Sequence, residues 1–316
     1  MERSYLARHV TAKTLIKWVK LIDQTAQVIC AETEKPITCF AHFKQSNSTS
    51  LSYFDGQKYE GLLTAGCLIA PPSLADQIDA PLQILTNDPR YLFIKLAQKI
   101  CDDIGLDYDQ FDAPPRVAAG VGASRIHASA TIMAGCRIGN GCNIGANVVI
   151  FPGTVIEDNV TIKSGSIIGE SGAAIHIIKD QTLSQPHVGR VVIEAGSEIG
   201  SQANIVRGIF GVTRIGKRCV VGNQVNVGHN VDLGQGSWLG VASVIGGFTR
   251  IGAFSNIGMG AMCRNGLTLG RQCNVAMGSV LNKHLPDDGN CFGNPAKLTR
   301  VKLSAGPAKN YEDDNE

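Results

Sequence analysis

Aliphatic side chains recur at intervals of six residues through the middle of this 316-residue chain. Runs in one phase extend from Ile126 to Ile168, from Ile193 to Ile205 and from Ile215 to Leu281, with Cys263 in one aliphatic position. Glycine most often follows the aliphatic residue, and the residue four places after it is usually small. This period fits neither an α-helix, at about 3.6 residues per turn, nor a simple alternating strand. It predicts short strands separated by tight turns.

Three such strands would close a triangular coil of about 18 residues, and successive coils would stack as parallel strands. The aliphatic residues would then fill one continuous interior, and the small residues would fit the corners. A glycine content of 36 residues and an aromatic content of 6% agree with such a fold. We therefore expect a mainly β protein in which residues 114–283 form a parallel β-helix.

The segments outside the repeat have different patterns. Residues 1–113 contain several strand-like segments, such as SLSYFDG and APLQILT, and an amphipathic helix that begins after Asp88, so we expect a small α/β domain there. Pro114 and Pro115 mark a linker. The repeat loses its phase near residues 173–190, which indicates a loop excursion from the β-helix. Residues 284–316 are expected to form a C-terminal cap and a disordered acidic tail.

Ten cysteines could indicate disulfides or a metal site. However, the chain has no CxxC pair, and no histidines stand at ligand spacing near the cysteines. Cys136, Cys142, Cys219 and Cys273 fall at the small position of the repeat, where buried packing explains them better. We expect no bound metal and no permanently bound cofactor.

The overall charge and hydropathy narrow the possible partners and locations. The net charge of +2 gives no reason to expect a nucleic acid partner. No apolar run is long enough for a membrane span, and the N-terminus lacks the apolar core of a secretory signal. Free cysteines suit a reducing compartment, so a cytoplasmic location is expected.

The segment NQVNVGHNV departs most from what the repeat requires. His229 follows the turn residue Gly228, so its imidazole should point outward, where it could serve as a general base near neutral pH. Asn223 and Gln224 belong to a set of neutral hydrogen-bonding groups expected around it. With coils of about 18 residues, Gly247 stacks on His229, and its N–H could hold an oxyanion. The alternative is a surface histidine without a role.

The other histidines give weaker signals. His176 and His187 lie in the excursion, where they could contact a substrate or simply lie at the surface. A zinc site of the kind found in some β-helix enzymes would need three histidines that converge from neighbouring coils. Only His229 lies within the last coils of the repeat, so this alternative is disfavoured.

With these residues assembled, the chain resembles the UDP-3-O-(3-hydroxyacyl)glucosamine N-acyltransferases of lipid A synthesis, from about residue 51 to residue 300. The segment NQVNVGHNV is similar to their catalytic-histidine motif, and it places the base at His229 and the oxyanion glycine at Gly247. The segment SLSYFDGQKYEGLL is similar to their nucleotide-binding segment. There, two aromatic rings sandwich the uracil, and the matching residues are Tyr53 and Tyr59, with Lys58 beside them.

This resemblance implies a left-handed parallel β-helix and a homotrimer with active sites between subunits. It further implies transfer of an acyl group from a carrier thioester to a sugar amine. The nucleotide-sugar site would also include Asn223 and Gln224.

The chain also departs from that family. Val206 replaces an aspartate of the family's IDRG motif, and Leu267 replaces a further histidine. The family's long C-terminal helical extension has no counterpart. Instead, GNPAKLTR resembles the ending of hexapeptide transferases that use coenzyme A, which would place Pro295 and Lys297, together with Gly246, near the acyl donor.

Three functional hypotheses follow. The first is an N-acyltransferase that moves an acyl group, with acyl-CoA as the favoured donor, to a dTDP- or UDP-linked amino sugar for surface polysaccharide synthesis. The second is the lipid A N-acyltransferase itself, which uses acyl carrier protein. The third is a non-catalytic β-helix that serves as a scaffold or binding module.

Overall fold

The computed structural model describes residues 3–31, 34, 36–106, 116–117 and 124–299, with the backbone alone for 3–5 and 116–117. The chain divides into two compact units. The first unit comprises residues 1–114, 171–190 and 207–212, and the second comprises residues 115–170, 191–206 and 213–316. The predicted linker at Pro114 and Pro115 and the predicted acidic tail lie outside the described residues.

A six-stranded mixed sheet forms the centre of the first unit, in the order β1-β3-β4-β6-β8-β2. Strands β3, β4, β6 and β8 run parallel, and β1 and β2 pair antiparallel at the two edges. Two short strands, β5 and β7, pair separately. The strands are β1 (Arg3–Thr11), β2 (Gln27–Cys30), β3 (Pro36–Ala41), β4 (Ser50–Tyr53), β5 (Leu63–Thr64), β6 (Cys67–Ala70), β7 (Ile78–Asp79) and β8 (Leu82–Leu85).

Two α-helices accompany this sheet, α1 (Ala12–Ile22) and α2 (Pro89–Asp103), with 3₁₀ turns at Phe43–Gln45 and Pro72–Gln77. Asp88 is the N-cap residue of α2, as predicted, but its carboxylate forms an ion pair with Lys179 at 2.8 Å instead of capping the helix. Within the described ranges, no helix is long and apolar enough to cross a membrane.

The excursion of residues 171–190 packs into the first unit. It contains an antiparallel hairpin, Ile175–Ile178 with Gln181–Ser184. Ala174 and Val188, together with Ile209 and Phe210 of the segment 207–212, are buried in the core that includes α1 and α2. Because these apolar side chains need a core, the excursion is an integral part of the first unit and not an external loop of the repeat.

The second unit is a parallel β-helix with three faces, which confirms the predicted fold class. Face A contains Arg125–Ile126, Asn143–Ile144, Thr161–Ile162, Glu198–Ile199, Val220–Val221, Trp238–Leu239, Asn256–Ile257, Asn274–Val275 and Asn290–Phe292. Face B contains Thr131–Ile132, Val149–Ile150, Ile167–Ile168, Asn204–Ile205, Asn226–Val227, Val244–Ile245, Met262–Cys263 and Val280–Leu281. Face C contains Arg116–Val117, Arg137–Ile138, Val155–Ile156, Arg190–Ile193, Val212–Ile215, Asp232–Leu233, Arg250–Ile251 and Thr268–Leu269.

Each coil passes from face A to face B to face C, and the turns between them form the AB, BC and CA corners. The aliphatic residues of the described coils point inward and share one buried core, in which Cys263 takes an aliphatic position, as predicted. Leu285 extends this core beyond the repeat. Lys297–Thr299 then pairs antiparallel with Asn290–Phe292 at the end of face A.

At several corners, the small residue also makes a hydrogen bond to the next coil. Ser237 and Ser255 donate hydrogen bonds from their hydroxyls to the carbonyls of Gly252 and Gly270, in the next coil. The Cys219 thiol makes the same type of contact with the Gly234 carbonyl at 3.1 Å. At these three corners, the buried small side chain is therefore also a hydrogen-bond donor.

Candidate active site

His229 and Gly247 meet at the BC corner in successive coils. His229 follows the face B strand Asn226–Val227, and Gly247 follows the next strand on that face, Val244–Ile245. A Cβ built on Gly247 would lie 2.6 Å from His229 Nε2 and 2.8 Å from Nδ1. The imidazole therefore lies directly against the backbone of Gly247, and only glycine leaves room for it there.

The imidazole of His229 is half-buried. The Phe248 ring meets it edge to face, with centroids 4.9 Å apart and an interplanar angle of 80°. Burial lowers the pKa of His229 below the ordinary histidine value, and a hydrogen bond with the Asn230 side chain opposes this shift. A lowered pKa keeps the imidazole neutral at physiological pH, which is the form that accepts a proton.

The backbone of Gly247 is only partly used by the coil. Its carbonyl accepts a hydrogen bond from the Gly266 N–H at 2.8 Å, and the following N–H, from Phe248, bonds to the His229 carbonyl. Within the described part of the chain, the N–H of Gly247 donates no hydrogen bond. This corner thus combines an imidazole and an available backbone donor, the two groups that acyl transfer needs.

Asn223 and Gln224 lie away from His229, at the AB corner. Six residues correspond to one side of the triangular coil, so groups that are close in sequence occupy different corners. Asn223 Oδ1 accepts a hydrogen bond from the Ser201 N–H at 2.9 Å, and Gln224 Nε2 donates to Gln202 Oε1 at 3.2 Å. Within one chain, the structure therefore does not bring these two amides to the imidazole.

The structure places Tyr53 and Tyr59 in two different aromatic groups of the first unit. The Tyr53 ring stacks on Phe93, with centroids 4.6 Å apart. Tyr59 meets Phe43 and Phe54 edge to face. Lys58 is exposed. One face of the Tyr53 ring is thus covered by Phe93, whereas Tyr59 contacts two neighbouring rings.

A polar cluster that the sequence analysis did not find lies beside Tyr53. The Arg90 guanidinium forms an ion pair with Asp55 at 2.5 Å and lies 3.5 Å from His176 Nδ1. His176 Nε2 in turn lies 3.2 Å from Gln185 Oε1. Burial raises the pKa of Tyr53, while the charge of Arg90 lowers it.

This cluster follows the carboxyl ends of two parallel strands. Tyr53 ends β4, and Arg90 lies in the first turn of α2, shortly after β8. Ligands of open α/β sheets bind at such strand ends. In the sequence, the segment DPR at residues 88–90 follows the predicted strand in APLQILT, and this position was the signal that could have indicated Arg90.

The residues assigned to the acyl donor have different structural roles. Pro295 and Lys297 are exposed in the last hairpin of face A. Gly246 donates its N–H to the Cys263 carbonyl, and a Cβ built on Gly246 would lie 2.5 Å from the backbone nitrogen of Asn265. Gly246 is thus required by the close approach of the next coil.

The described residues contain no group of three or more histidine, cysteine or acidic side chains that could hold a metal ion. All ten cysteines are free, and most are buried. His187 is buried in the first unit.

Two family models match parts of the β-helix. Residues 123–152 match the bacterial transferase hexapeptide model, and residues 248–283 match the hexapeptide repeat of succinyl-transferase. These two parts of the β-helix are therefore similar to the hexapeptide repeats of bacterial transferases.

Among curated proteins, it is similar to the UDP-3-O-acylglucosamine N-acyltransferases. That of Methylobacillus flagellatus is 29% identical over 60% of this chain and 60% of its own length. That of Helicobacter pylori is 28% identical over 59% of this chain and 65% of its own length. The matches thus span less than two thirds of these relatives.

Among solved structures, the UDP-N-acetylglucosamine acyltransferase of Campylobacter jejuni is 24% identical, with a TM-score of 0.41. The match covers 55% of this chain and 74% of that one.

Proposed function

We propose that this protein is an N-acyltransferase that moves an acyl group from a thioester, with acyl-CoA as the favoured donor, to the amine of a dTDP- or UDP-linked amino sugar. The observation that carries the proposal is the contact of His229 with Gly247. It joins a neutral imidazole to a backbone N–H that has no partner among the described residues. The curated relatives, which are named as acyltransferases, support the same chemistry.

The reaction follows from these two groups. The neutral amine of the sugar attacks the thioester carbonyl carbon, and a C–N bond forms while the π electrons move to the carbonyl oxygen. Nε2 of His229 takes the proton that the amine loses. The Gly247 N–H donates a hydrogen bond to the oxyanion. Collapse restores the C=O bond and breaks the C–S bond, and the imidazolium returns the proton to the leaving thiolate.

The nucleotide part of the acceptor is assigned to the first unit. Tyr53 and Tyr59 offer supported aromatic faces for the base, and the Arg90 side chain beside Tyr53 offers a cation for a phosphate. Lys58 lies exposed in the same segment. The assignment of Asn223 and Gln224 to the sugar requires that a second copy bring its AB corner to the BC corner of the first.

A homotrimer is part of this proposal. Exposed apolar side chains follow the AB corner and face B in the later coils, namely Val241, Val244, Met259, Met262 and Met277. Contiguous apolar patches of this kind mark contact surfaces. Measurement of the molar mass in solution by light scattering tests the trimer.

The assignment of Pro295 and Lys297 to the acyl-donor site rests on their distance along face A from the coil of His229. Four strand spacings separate Val220–Val221, in the coil of His229, from Asn290–Phe292, beside Pro295 and Lys297. At about 4.8 Å per spacing this is about 19 Å, a length suited to an extended phosphopantetheine arm. Use of CoA thioesters agrees with a cytoplasmic location and with ten free cysteines.

A thiol-release assay tests the function. The protein is incubated with a panel of UDP- and dTDP-linked amino sugars, each with short acyl-CoA thioesters and with acyl carrier protein. Thiol release that depends on the amino sugar and disappears in His229→Ala supports the proposal. Activity restricted to 3-O-acylated UDP-glucosamine with acyl carrier protein would favour the lipid A reaction, and no release with any pair would favour a non-catalytic β-helix.

A further inference from the structure

The column of corner residues that begins with His229 and Gly247 continues to Asn265. All three occupy the second position after the inward residue of a face B strand, in three successive coils. The Asn265 side chain is exposed, and it makes no hydrogen bond within the described part of the chain.

An Asn or Asp at this position has a defined role at other corners. Its side-chain oxygen accepts a hydrogen bond from the N–H at the same position one coil earlier. The pairs are Asp158 with Asn140 at 2.7 Å, Asn223 with Ser201 at 2.9 Å and Asp287 with Arg271 at 2.8 Å. Each such oxygen thus accepts a hydrogen bond from a backbone N–H that makes no backbone hydrogen bond in the coil.

Asn265 has the matching placement next to Gly247. A Cβ on Gly246 would contact Oδ1 of the Asn265 side chain and lie 2.5 Å from its backbone nitrogen, just as one on Gly200 would lie 2.7 Å from Asn223 Oδ1 and 2.5 Å from its backbone nitrogen. The amide of Asn265 thus reaches the Gly246–Gly247 segment. Nevertheless, the Gly247 N–H does not bond to it within the described residues. The Asn265 side chain therefore lies next to the Gly247 N–H without accepting a hydrogen bond from it.

We propose that Asn265 is a catalytic residue that supplies the second donor to the oxyanion, alongside the Gly247 N–H. This inference rests on the acyl-transfer function proposed above. Rotation of the exposed amide presents Nδ2–H to the carbonyl oxygen while the amine attacks. The two hydrogen bonds stabilise the oxyanion that forms as the π electrons move to oxygen. They weaken when the C=O bond returns and the C–S bond breaks.

The chemistry of the side chain separates this role from a capping role. An amide can donate through nitrogen or accept through oxygen, whereas a carboxylate can only accept. An aspartate at position 265 would bind the Gly247 N–H, as Asp287 binds that of Arg271. It would also place a negative charge beside the oxyanion. A carboxylate there should therefore improve the cap and lower activity in either case, so the loss of the amide in Asn265→Ala is what separates the two roles.

The test compares Asn265→Asp and Asn265→Ala with the wild type, by steady-state kinetics on the best substrate pair and by thermal unfolding. We expect Asn265→Ala to lower kcat by about 100-fold, the order found for loss of one oxyanion donor, with little change in KM. Asn265→Asp should lower kcat further while its Tm is equal to or above that of the wild type. Asp158→Ala, which removes a cap at the CA corner, is the matched control and should lower Tm without changing kcat.

The opposite result would overturn this role. If Asn265 supplies no donor, Asn265→Ala keeps wild-type kcat, whereas Asn265→Asp still loses activity because its carboxylate closes the Gly247 N–H. Wild-type thiol release together with wild-type kcat in Asn265→Ala thus rejects the role of Asn265 and keeps the proposed function. Absence of wild-type release with every substrate pair rejects both.

Discussion

The imidazole of His229 lies against the backbone of Gly247 in the next coil, where a Cβ would come within 2.6 Å of Nε2. Gly247 does not have a positive φ, so an alanine can adopt its backbone conformation. The three atoms nearest to a methyl group there all belong to the His229 ring. The glycine is therefore required by the histidine and not by the turn.

Gly247→Ala is expected to displace the imidazole and to lower kcat by about 100-fold, because a shift of about 1 Å in a reacting group has this order of effect. Steady-state kinetics measures the loss, and thermal unfolding shows whether the β-helix is intact. In the double variant His229→Ala/Gly247→Ala the methyl group meets no ring, so its Tm should equal that of His229→Ala. Wild-type kcat in Gly247→Ala would show that the ring position is unimportant.

His229 is expected to titrate below the ordinary histidine pKa of about 6.5, because burial disfavours the charged ring. As pH falls through this range, the unfolded chain binds the proton before the folded chain does. The contribution of His229 to stability is therefore constant above about pH 6.5 and decreases below it, down to the folded-state pKa.

An NMR titration of the His229 Cε1–H signal, assigned by its loss in His229→Gln, measures this pKa. Asn230→Ala should lower it further, since the Asn230 hydrogen bond favours the charged ring. A midpoint at or above about 6.5 would contradict the prediction.

The period of the sequence was sufficient to predict the β-helix and the stacking of Gly247 on His229, because both depend only on coil length. The same arithmetic should have separated Asn223 from His229, since six residues reach the next corner. Proximity in sequence was a poor guide there. Within a β-helix, groups in successive coils share a corner when they are about one coil length apart, not when they are neighbours in the chain.

Other features had no periodic signal. The cluster of Arg90, Asp55 and His176 joins residues from three distant segments, and only tertiary packing brings them together. Similarly, the 171–190 excursion is apolar enough to enter a core, but its sequence does not say which core. Helix α1 is a further difference from the sequence-based expectation, and Leu15, Trp18 and Val19 form its buried side.

The corner hydroxyls should contribute measurably to stability. Ser255 Oγ donates to the Gly270 carbonyl at 3.2 Å and accepts from the buried Cys273 N–H at 3.1 Å. Ser255→Ala leaves both groups without this partner, so we expect a loss of about 1–3 kcal/mol in the free energy of unfolding. Ser164→Ala, which removes an exposed corner hydroxyl, should stay within about 0.5 kcal/mol of wild type in denaturant unfolding. Equal effects would show that only side-chain size matters at these corners.

The Tyr53 ring, supported by Phe93, should contribute to nucleotide binding through its open face. Alanine substitution of a residue that stacks on a base costs about 1–3 kcal/mol, so Tyr53→Ala should weaken the binding of a UDP- or dTDP-sugar by about 10-fold or more. Tyr53→Phe keeps the ring and its stacking on Phe93, and it loses only the hydroxyl near Arg90. Its affinity should therefore lie close to that of the wild type, as measured by calorimetry. Since Tyr53 also packs against the core of the first unit, both variants are compared well below their Tm. Unchanged affinity in a folded Tyr53→Ala variant would place the base elsewhere.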